Sequence, residues 1–586
     1  MNTSGLNTKI FKKEQRKNKL IILGTGSCYE YCKLKYSIDI ENEVLFFVES
    51  NVKTELFCNK KVINYVELEQ YLEHAEYVDI LVCTTAWEAI QNENDFIHLY
   101  KHGIHPLYIE TLFDQSALLT FHQPFLNLIR QGENHEIKVL NPSKFIILIK
   151  EFKGAALVYH HLIIGILLKI RGYDVEYLFC DESKIGDFLY GEGFNEYQNQ
   201  LLLNVLEEIQ AIFNINYHLL SDQKAQSLTA DQQDSINRVI YYNLVWSTKK
   251  VVFDPKDEKV NRLKQSLWES AQKMNGFIDK QSDITSFSFT GMHHEWAIWF
   301  ELASLAKKGD VFTFERVANR YAFDKNSPAI YRRNIFKEVN PRKVNKLLIH
   351  YDFLKKERVK IDHKKPVVVI PLNIFWDSAS YTEHDIYLDF GAWLIRTIDY
   401  LLNECQAIVY VRQHPHESKF HSGRDVQQLL FEHFGQISDY HFIDCNSPVD
   451  TYDLVYNSDL VLPNTSTVGI EAVMMGKPVV LKNDVYYGEY GFTHTAYNEQ
   501  EYHALIQGAL QGKLSVSKEQ IEAASNWFPY IFYNGRDTYF GHSDEEIDFW
   551  IRKPLSELLQ DTEVNTLLDA IIERKPYSDW DSLFRE

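Results

Sequence analysis

The stretch LVLPNTSTVGIEAVMMGKPVVL over residues 460–481 holds the densest set of groups suited to binding an anion. An apolar strand ends at Pro463, then Thr465, Ser466 and Thr467 follow, and a helix of about two turns runs on before Gly476 and Pro478 stop it. Three hydroxyls at a helix start, at the carboxyl edge of a parallel sheet, suit a phosphate: backbone N–H groups there lack helical partners, and hydroxyls add donors without adding charge. The same hydroxyls would also serve as ordinary helix caps. Glu471, one turn further in, is placed to accept hydrogen bonds from a ribose diol. Upstream, AIVYVRQHPHE over 407–417 sets Arg412, His414 and His416 at another strand end, closed by Pro415. In doubly wound sheets ligands lie beyond the carboxyl ends of strands, so His414 is expected to face the crevice of Thr465 to Thr467 and to stabilise charge on a departing phosphate.

Group transfer to a hydroxyl acceptor also needs a base. SFSFTGMHHEW over 286–296 ends a strand-like run at Gly291 and presents His293, His294 and Glu295, and the residue types do not choose among the three. Glu315, in VFTFERVANRY, is a second candidate for contact with an acceptor. His160 and His161 are neighbours on an apolar helix and point about 100° apart, so they cannot act as a pair; they read as core-edge residues, with His160 the one kept as an acceptor candidate. Gly24-Thr25-Gly26 follows a strand and Glu49 ends the next, a partial dinucleotide fingerprint in which Tyr29 replaces the third glycine, so bound NAD is not expected. The single D-x-D, Asp579 and Asp581, lies in a tail with no preceding strand, and no obligatory metal is expected.

The elements that must position these groups follow from hydrophobic pattern. Short Val/Ile/Leu-rich runs alternate with segments long enough for helices, the pattern of βαβ units and parallel sheets. The expected class is α/β: a pair of Rossmann-like halves behind an additional N-terminal Rossmann-like module. The expected divisions are a tail over 1–18, the module over 19–125, a first half over 126–365 containing a long helical segment around 197–275, a second half over 366–530, and a helical extension over 531–586. The charged connector KKERVKIDHKKP precedes VVVIPLN, whose unbroken apolar run suits a strand covered on both faces.

Charge narrows the partners. The 61 Lys and Arg against 81 Asp and Glu leave a net −20, which disfavours nucleic acid. Seven cysteines without paired C-x-x-C spacing indicate neither a disulfide framework nor a zinc site and suit a reducing cytoplasm. The apolar stretch 155–170 is shorter than the ~20 residues a spanning helix needs. The expectation is a cytoplasmic chain that works at the inner face of the membrane, with peripheral membrane or polysaccharide-assembly contacts.

The His-Pro at 414–415 together with the hydroxyl-rich turn and GIEAVMMGKPVV at 469–480 resembles the capsule polysaccharide biosynthesis glycosyltransferases, including CMP-Kdo-using transferases and polysialyltransferases. The resemblance is best over about 366–485. It implies a GT-B arrangement with the nucleotide on the second half and the acceptor on the first. It makes His414, Ser466 and Thr467 phosphate contacts and Glu471 a ribose or base contact. It sets Asn373, Asp377 and Ser378 of PLNIFWDSAS, with Thr465 and Arg412, around the nucleotide. It favours a CMP-linked acidic sugar such as Kdo, whose carboxylate Arg412, Lys477 and Lys482 would offset, and a surface polysaccharide or glycolipid as acceptor. The rival expectations are a non-hydrolysing nucleotide-sugar epimerase and a glycan-binding protein, the latter signalled by exposed stripes among 35 tyrosines and ten tryptophans.

Overall fold

The computed structural model describes residues 19–23, 40–49, 56–74, 78–82, 103–106, 122–134, 141–150, 155–185, 188, 194–282, 284–289, 291–317, 320–326, 352–376, 382, 384–387, 389–417, 424–536, 550–551, 553–575 and 577–578. The chain forms two compact units: Met1–Pro124 with Glu151–Ala156 and Gly186–Leu201, and Phe125–Lys150 with Leu157–Ile185 and Leu202–Glu586. Each is a layered α/β structure built on parallel strands, the class expected from the alternating pattern.

In the first unit, strands β1 (Leu20–Leu23), β2 (Val44–Val48), β3 (Leu56–Phe57), β4 (Lys60–Ile63), β5 (Asp79–Val82) and β6 (Gly103–Pro106) form a sheet in the order β3-β4-β2-β1-β5-β6. Only β3 with β4 is antiparallel among these pairs. All four residues of β1 are buried, as a central strand covered on both faces requires. Helix α1 (Tyr65–His74) starts with a reciprocal cap: Glu67 N–H donates to Asn64 Oδ1 at 3.0 Å and Asn64 N–H to Glu67 Oε2 at 3.1 Å. Its Leu68 and Leu72, four residues apart, pack on Ile21, Val48 and Ile80. The glycine turn after β1 falls outside the described residues.

The second unit holds two sheets. The first has seven strands in the order β19-β12-β11-β10-β7-β8-β9: β7 (Asn141–Ile149), β8 (Tyr173–Phe179), β9 (Asn216–Leu219), β10 (Thr285–Phe289), β11 (Val311–Val317), β12 (Arg320–Lys325) and β19 (Tyr577–Ser578). Strands β9 through β11 run parallel to one another, and β12 and β19 pair antiparallel at the other edge. Its helices are α2 (Ala155–Ile170), α3 (Phe194–Phe213), α4 (Ala230–Thr248), α5 (Glu258–Asp279) and α6 (His294–Ala306). The 197–275 span expected as helical is therefore broken by β9, whose alternation NYHL is only four residues long, the shortest run that signals a strand, and sits between long helical segments. Sequence capping is explicit where helices begin: Thr229 and Gln232 form a capping box on α4, and Asp257 accepts from Lys259 and Val260 N–H on α5.

The second sheet has the order β15-β14-β13-β16, all parallel, from β13 (Val367–Pro371), β14 (Ile408–Arg412), β15 (Tyr440–Ile443) and β16 (Leu460–Val461). A bridge from Val461 to Val479 leads on to β17 (Val480–Leu481), which pairs with β18 (His494–Thr495). Helices α7 (Phe390–Asn403), α8 (Arg424–Phe434), α9 (Thr451–Asn457), α10 (Val468–Met474), α11 (Glu499–Leu510) and α12 (Lys518–Arg536) accompany it. All five residues of β13 are buried; one face packs with Trp393, Leu394 and Leu462, the other with Ile470 and Phe528.

The C-terminal segment returns to the first sheet of its unit. Arg171 pairs with Asp569 at 2.6 Å, Leu555 N–H donates to Gln131 Oε1 at 2.9 Å, and β19 extends the sheet beside β12. No helix among the described residues is long and apolar enough to cross a membrane. The apolar 155–170 stretch is instead the buried helix α2, with His160 0% and His161 2% exposed. The His160 ring centroid lies 5.1 Å from that of Trp550. That burial leaves His160 no surface to offer an acceptor.

Two predictions follow from α2. A Cβ added at Gly165 would stand 2.3 Å from the Tyr177 hydroxyl, which is buried and donates to Leu162 O at 2.7 Å. Gly165→Ala should therefore cost about 1–3 kcal/mol in denaturant unfolding, and an unchanged midpoint would show that the phenol has room to move. Burial lowers the His161 imidazole to about 4, against 6.5 for the unfolded chain, with a hydrogen bond to the Leu148 backbone opposing the shift. Both states are neutral at pH 7; between pH 6.5 and 4 the unfolded chain takes up a proton that the folded one refuses, so stability falls through that window. His161→Gln should reduce the loss measured between those pH values by about 3 kcal/mol; identical pH profiles would remove His161 from the account.

Candidate functional site

Both sheets of the second unit reverse their strand order at one place. Chain order runs β13, β14, β15 outward and then returns to β16 on the other side of β13. The loops after β13 and β16 therefore diverge and leave a crevice at the carboxyl edge. Asn373 follows β13, Asn464 follows β16 and Asn483 follows β17. Their side chains form a ladder across that edge: Asn483 Nδ2 donates to Asn464 Oδ1 at 3.0 Å, and Asn464 Nδ2 to Asn373 Oδ1 at 3.2 Å. Asn464 and Asn483 are 2% and 0% exposed. Among the residues expected from sequence, Asn373 and the 465–467 turn are brought together here. Asn483 was missed, although its place just past an apolar strand was the available signal. Asp377 and Ser378 lie outside the described residues.

The hydroxyl turn is held from below. Thr465 and Ser466 are 3% and 8% exposed, and Thr467, in the right-handed region, makes no side-chain cap hydrogen bond. Ser466 Oγ accepts from Val468 N–H at 3.3 Å, while the Thr465 hydroxyl meets no hydrogen-bond partner among the described residues. The Tyr487 phenol, fully buried, donates to Ser466 O at 2.7 Å. Gly469 makes room for it: a Cβ there would stand 2.1 Å from the Tyr487 oxygen. The glycine of GIEAV thus serves a close approach, and Tyr487, which no sequence signal marked, fixes the turn. Glu471 is 1% exposed, and its charge adds to the burial that raises the Tyr487 pKa. Its burial near that phenol departs from the open position expected of a ribose contact.

His414 follows β14 and is partly buried. Its Nδ1 accepts from His416 N–H at 3.1 Å, so the neutral ring carries its proton on Nε2 and presents that nitrogen as a donor. His416 is exposed, its ring 5.4 Å from that of His414. Arg412 departs from expectation. It is 5% exposed, and its guanidinium donates to Asp444 O and, at 3.4 Å, to Thr451 Oγ1. Its charge braces the loop after β15 in place of facing the crevice.

Two more expected cations are likewise committed. Lys477 donates to Ser458 O at 2.7 Å, and both residues precede strands, so it sits at the amino edge, away from the crevice. Lys482 is buried against Asp385, each side chain 2% exposed. Burial lowers the Lys482 pKa and the neighbouring carboxylate opposes that shift. The pair adjoins a small cavity between the two sheets' layers, walled by Tyr241, Tyr242 and Val245 of α4 and by Phe375, Asn464 and Lys482. Tyr242 Oη donates to Asp385 Oδ2 at 3.3 Å, and Phe390 N–H donates to Tyr241 Oη at 3.2 Å.

The seven-stranded sheet has its own reversal, between β7 and β10. Lys150 directly follows β7, and His293, His294 and Glu295 follow β10. Lys150 Nζ and Glu295 Oε2 form an ion pair at 3.1 Å, each side chain 1% exposed. Glu295 is therefore sealed in, and Lys150 was not among the expected residues. His294 is 1% exposed, in the left-handed region at φ 51°, with its N–H donating to Asn243 Oδ1 at 2.6 Å. Of the three expected bases only His293 is partly exposed. Burial, then Lys249 and Lys150, lowers its pKa to about 4, so it is neutral at pH 7. Glu315 stands in β11 opposite Ala322, and its side chain is not among those described. Asp579 and Asp581 lie outside the described residues. No His/Cys/Asp/Glu group suited to a metal occurs among the described residues.

Removing the Tyr487 hydroxyl tests the support of the turn. Tyr487→Phe would leave Ser466 O with only the Gly469 N–H as donor, costing about 0.5–1.5 kcal/mol, and Gly469→Ala should cost more by displacing the ring. Stabilities equal to that of the parent would mean the turn does not depend on this contact.

Residues 316–533, the segment that carries His414 and the 464–483 groups, match the family model described as capsule polysaccharide biosynthesis protein. The resemblance drawn from the His-Pro and hydroxyl-turn motifs is borne out over that segment. No curated protein matches the chain. Among solved structures, the chain is similar to Thermosulfurimonas dismutans KpsC, beta Kdo 2,7 transferase, at 18% identity over 44% of this chain and 89% of that one, with a TM-score of 0.24. It is also similar to UDP-GlcNAc 2-epimerase from Neisseria meningitidis, at 10% identity over 67% and 100% with a TM-score of 0.22. A third is Thermobaculum terrenum O-GlcNAc transferase, at 11% identity over 75% and 74% with a TM-score of 0.24.

Proposed function

We propose that this chain is a glycosyltransferase of surface polysaccharide synthesis, moving a sugar from a nucleotide donor to a hydroxyl of a polysaccharide or glycolipid acceptor. The observation that carries the reading is the match of residues 316–533 to the capsule polysaccharide biosynthesis family. It coincides with a carboxyl-edge crevice built from Asn373, His414 and the 464–467 turn. A CMP-linked acidic sugar such as Kdo is the donor we favour, with no obligatory metal.

In this reading the bond between the sugar's anomeric carbon and the phosphate oxygen breaks, and its electron pair stays on the nucleotide phosphate. The Nε2–H of His414 and the backbone N–H groups of Ser466 and Thr467 meet the charge that accumulates there, where fixed donors outperform water because they need no reorganisation. The acceptor oxygen forms the new bond and releases its proton to His293, which is neutral at pH 7 and the most accessible of the three candidates. A ring held near 4 is a weak base, so the proton moves late, after the acceptor oxygen has begun to bond.

The glycan-binding alternative called for exposed aromatic stripes. Trp296, Trp299 and Trp393 are instead 1%, 0% and 0% exposed, and no tryptophan is among the strongly exposed side chains described. Their role is to fill the core.

A thermal-shift panel of CMP, CDP, UMP, UDP, GDP, TDP and NAD, with and without magnesium, addresses the donor. Stabilisation by CMP without magnesium is the expected result; a shift by UDP alone would redirect the donor, and none at all would sink the transferase reading. His414→Gln should then lower turnover by about 10²–10³-fold with an unchanged melting temperature, and near-normal turnover would remove the phosphate role.

A further inference from the structure

Lys482, Asp385 and Asn464 all line the small cavity beside α4, and all three side chains are buried. An ammonium carries three N–H donors. Among the described residues Lys482 uses one of them, on Asp385, and its charge also faces the Trp393 ring, 5.1 Å from the centroid. Two donors therefore remain to be met on a side chain nearly out of reach of bulk water, where an unmet polar group is costly. Asp385 accepts from Lys482, from Tyr242 Oη at 3.3 Å and from the Tyr387 N–H at 3.0 Å. A carboxylate offers about four acceptor sites, so it keeps room for one more donor. Asn464 accepts from Asn483 and donates to Asn373, which leaves its second amide hydrogen unused.

The open positions are thus of both kinds, donors on Lys482 and Asn464 and an acceptor site on Asp385, while the two charges balance. A hydroxyl matches that set, because one oxygen accepts from an ammonium and donates to a carboxylate at once. An anion does not match it, since drawing Lys482 away would strand the buried Asp385. The cavity measures about 270 Å³, open solvent included, short of the ~300–1,000 Å³ that encloses a whole ligand, so it suits one arm of a larger molecule. Asn464 ties it to the crevice: the same side chain lines the cavity and forms the middle rung of the amide ladder at the carboxyl edge.

We propose that the Lys482–Asp385 pair and Asn464 form a sugar subsite that binds a hydroxyl of the transferred sugar while the nucleotide lies in the crevice. The ion pair stays intact and the hydroxyl joins it. The assignment rests on the transferase reading and adds to it the residues that recognise the sugar apart from the nucleotide.

Calorimetric titration of the full chain with CMP, CMP-Kdo, CMP-N-acetylneuraminate, UDP and UDP-glucose tests it. The quantity read is the affinity of each nucleotide sugar relative to its own nucleotide, in wild type and in the double variant Lys482→Met with Asp385→Asn. Changing both residues leaves neither ion stranded, and asparagine keeps an acceptor for the Tyr387 N–H. The expected result is a fall of about five- to fifty-fold in that ratio for the nucleotide sugar that wild type binds best, with affinity for the bare nucleotide retained. A fall smaller than about fivefold, including an equal loss for nucleotide and nucleotide sugar, would overturn the subsite and leave the transferase reading standing. Wild-type protein that binds none of the nucleotide sugars would overturn both. Should the double variant not fold, Val245→Ile carries the same comparison, since its added carbon occupies part of the cavity from α4 and alters neither charge.

Discussion

A parallel sheet sends all its loops of one polarity to one edge, and where the strand order reverses, two neighbouring loops must part. In the second unit that constraint acts twice, between β7 and β10 and between β13 and β16. Among the described residues, Lys150 and His293 to Glu295 lie beside the first gap, and Asn373 and Asn464 to Thr467 beside the second. The amide ladder of Asn373, Asn464 and Asn483 shows how a gap is kept in shape without charge. Neutral amides lose less on burial than ions do, and Asn483 and Asn464 each donate to the next amide in line.

Charge is handled differently. In a chain of net −20, the buried cations of the site are each given a partner that fixes them: Lys150 has Glu295, Lys482 has Asp385, and Arg412 has the Asp444 carbonyl. Such pairs are costly to form, because both ions lose water, and costly to break, because either one alone would be stranded. They are poor candidates for exchange with a ligand and good devices for holding loops. The neutral state of His293 belongs to the same balance, since a proton there would face both burial and two lysines.

The carboxyl-edge turn illustrates how packing sets function indirectly. A Cβ at Gly469 would stand where the Tyr487 phenol passes, and that phenol joins the Gly469 N–H in donating to the buried Ser466 O. Glu471, in the same short helix, is buried as well. One glycine thus links the helix, the tyrosine and the hydroxyl turn.

By itself the sequence determined the α/β class, the positions of most strands and the two clusters where chemistry concentrates. These follow from local quantities: apolar runs such as VVVIP, stop signals at Gly476 and Pro478, and polar residues placed just past strand ends. It also carried the family resemblance over the segment where motif and strand end coincide. Only the tertiary structure decided which member of each cluster faces a cleft. His293, partly exposed, and Glu295, sealed against Lys150, could not be separated by residue type, because burial and partner depend on loops more than 30 residues away, as with Lys150 and Glu295 or Asp385 and Lys482. The short strand β9 escaped for a related reason: its four residues gain their pairing from β8, and nothing in NYHL alone requires it.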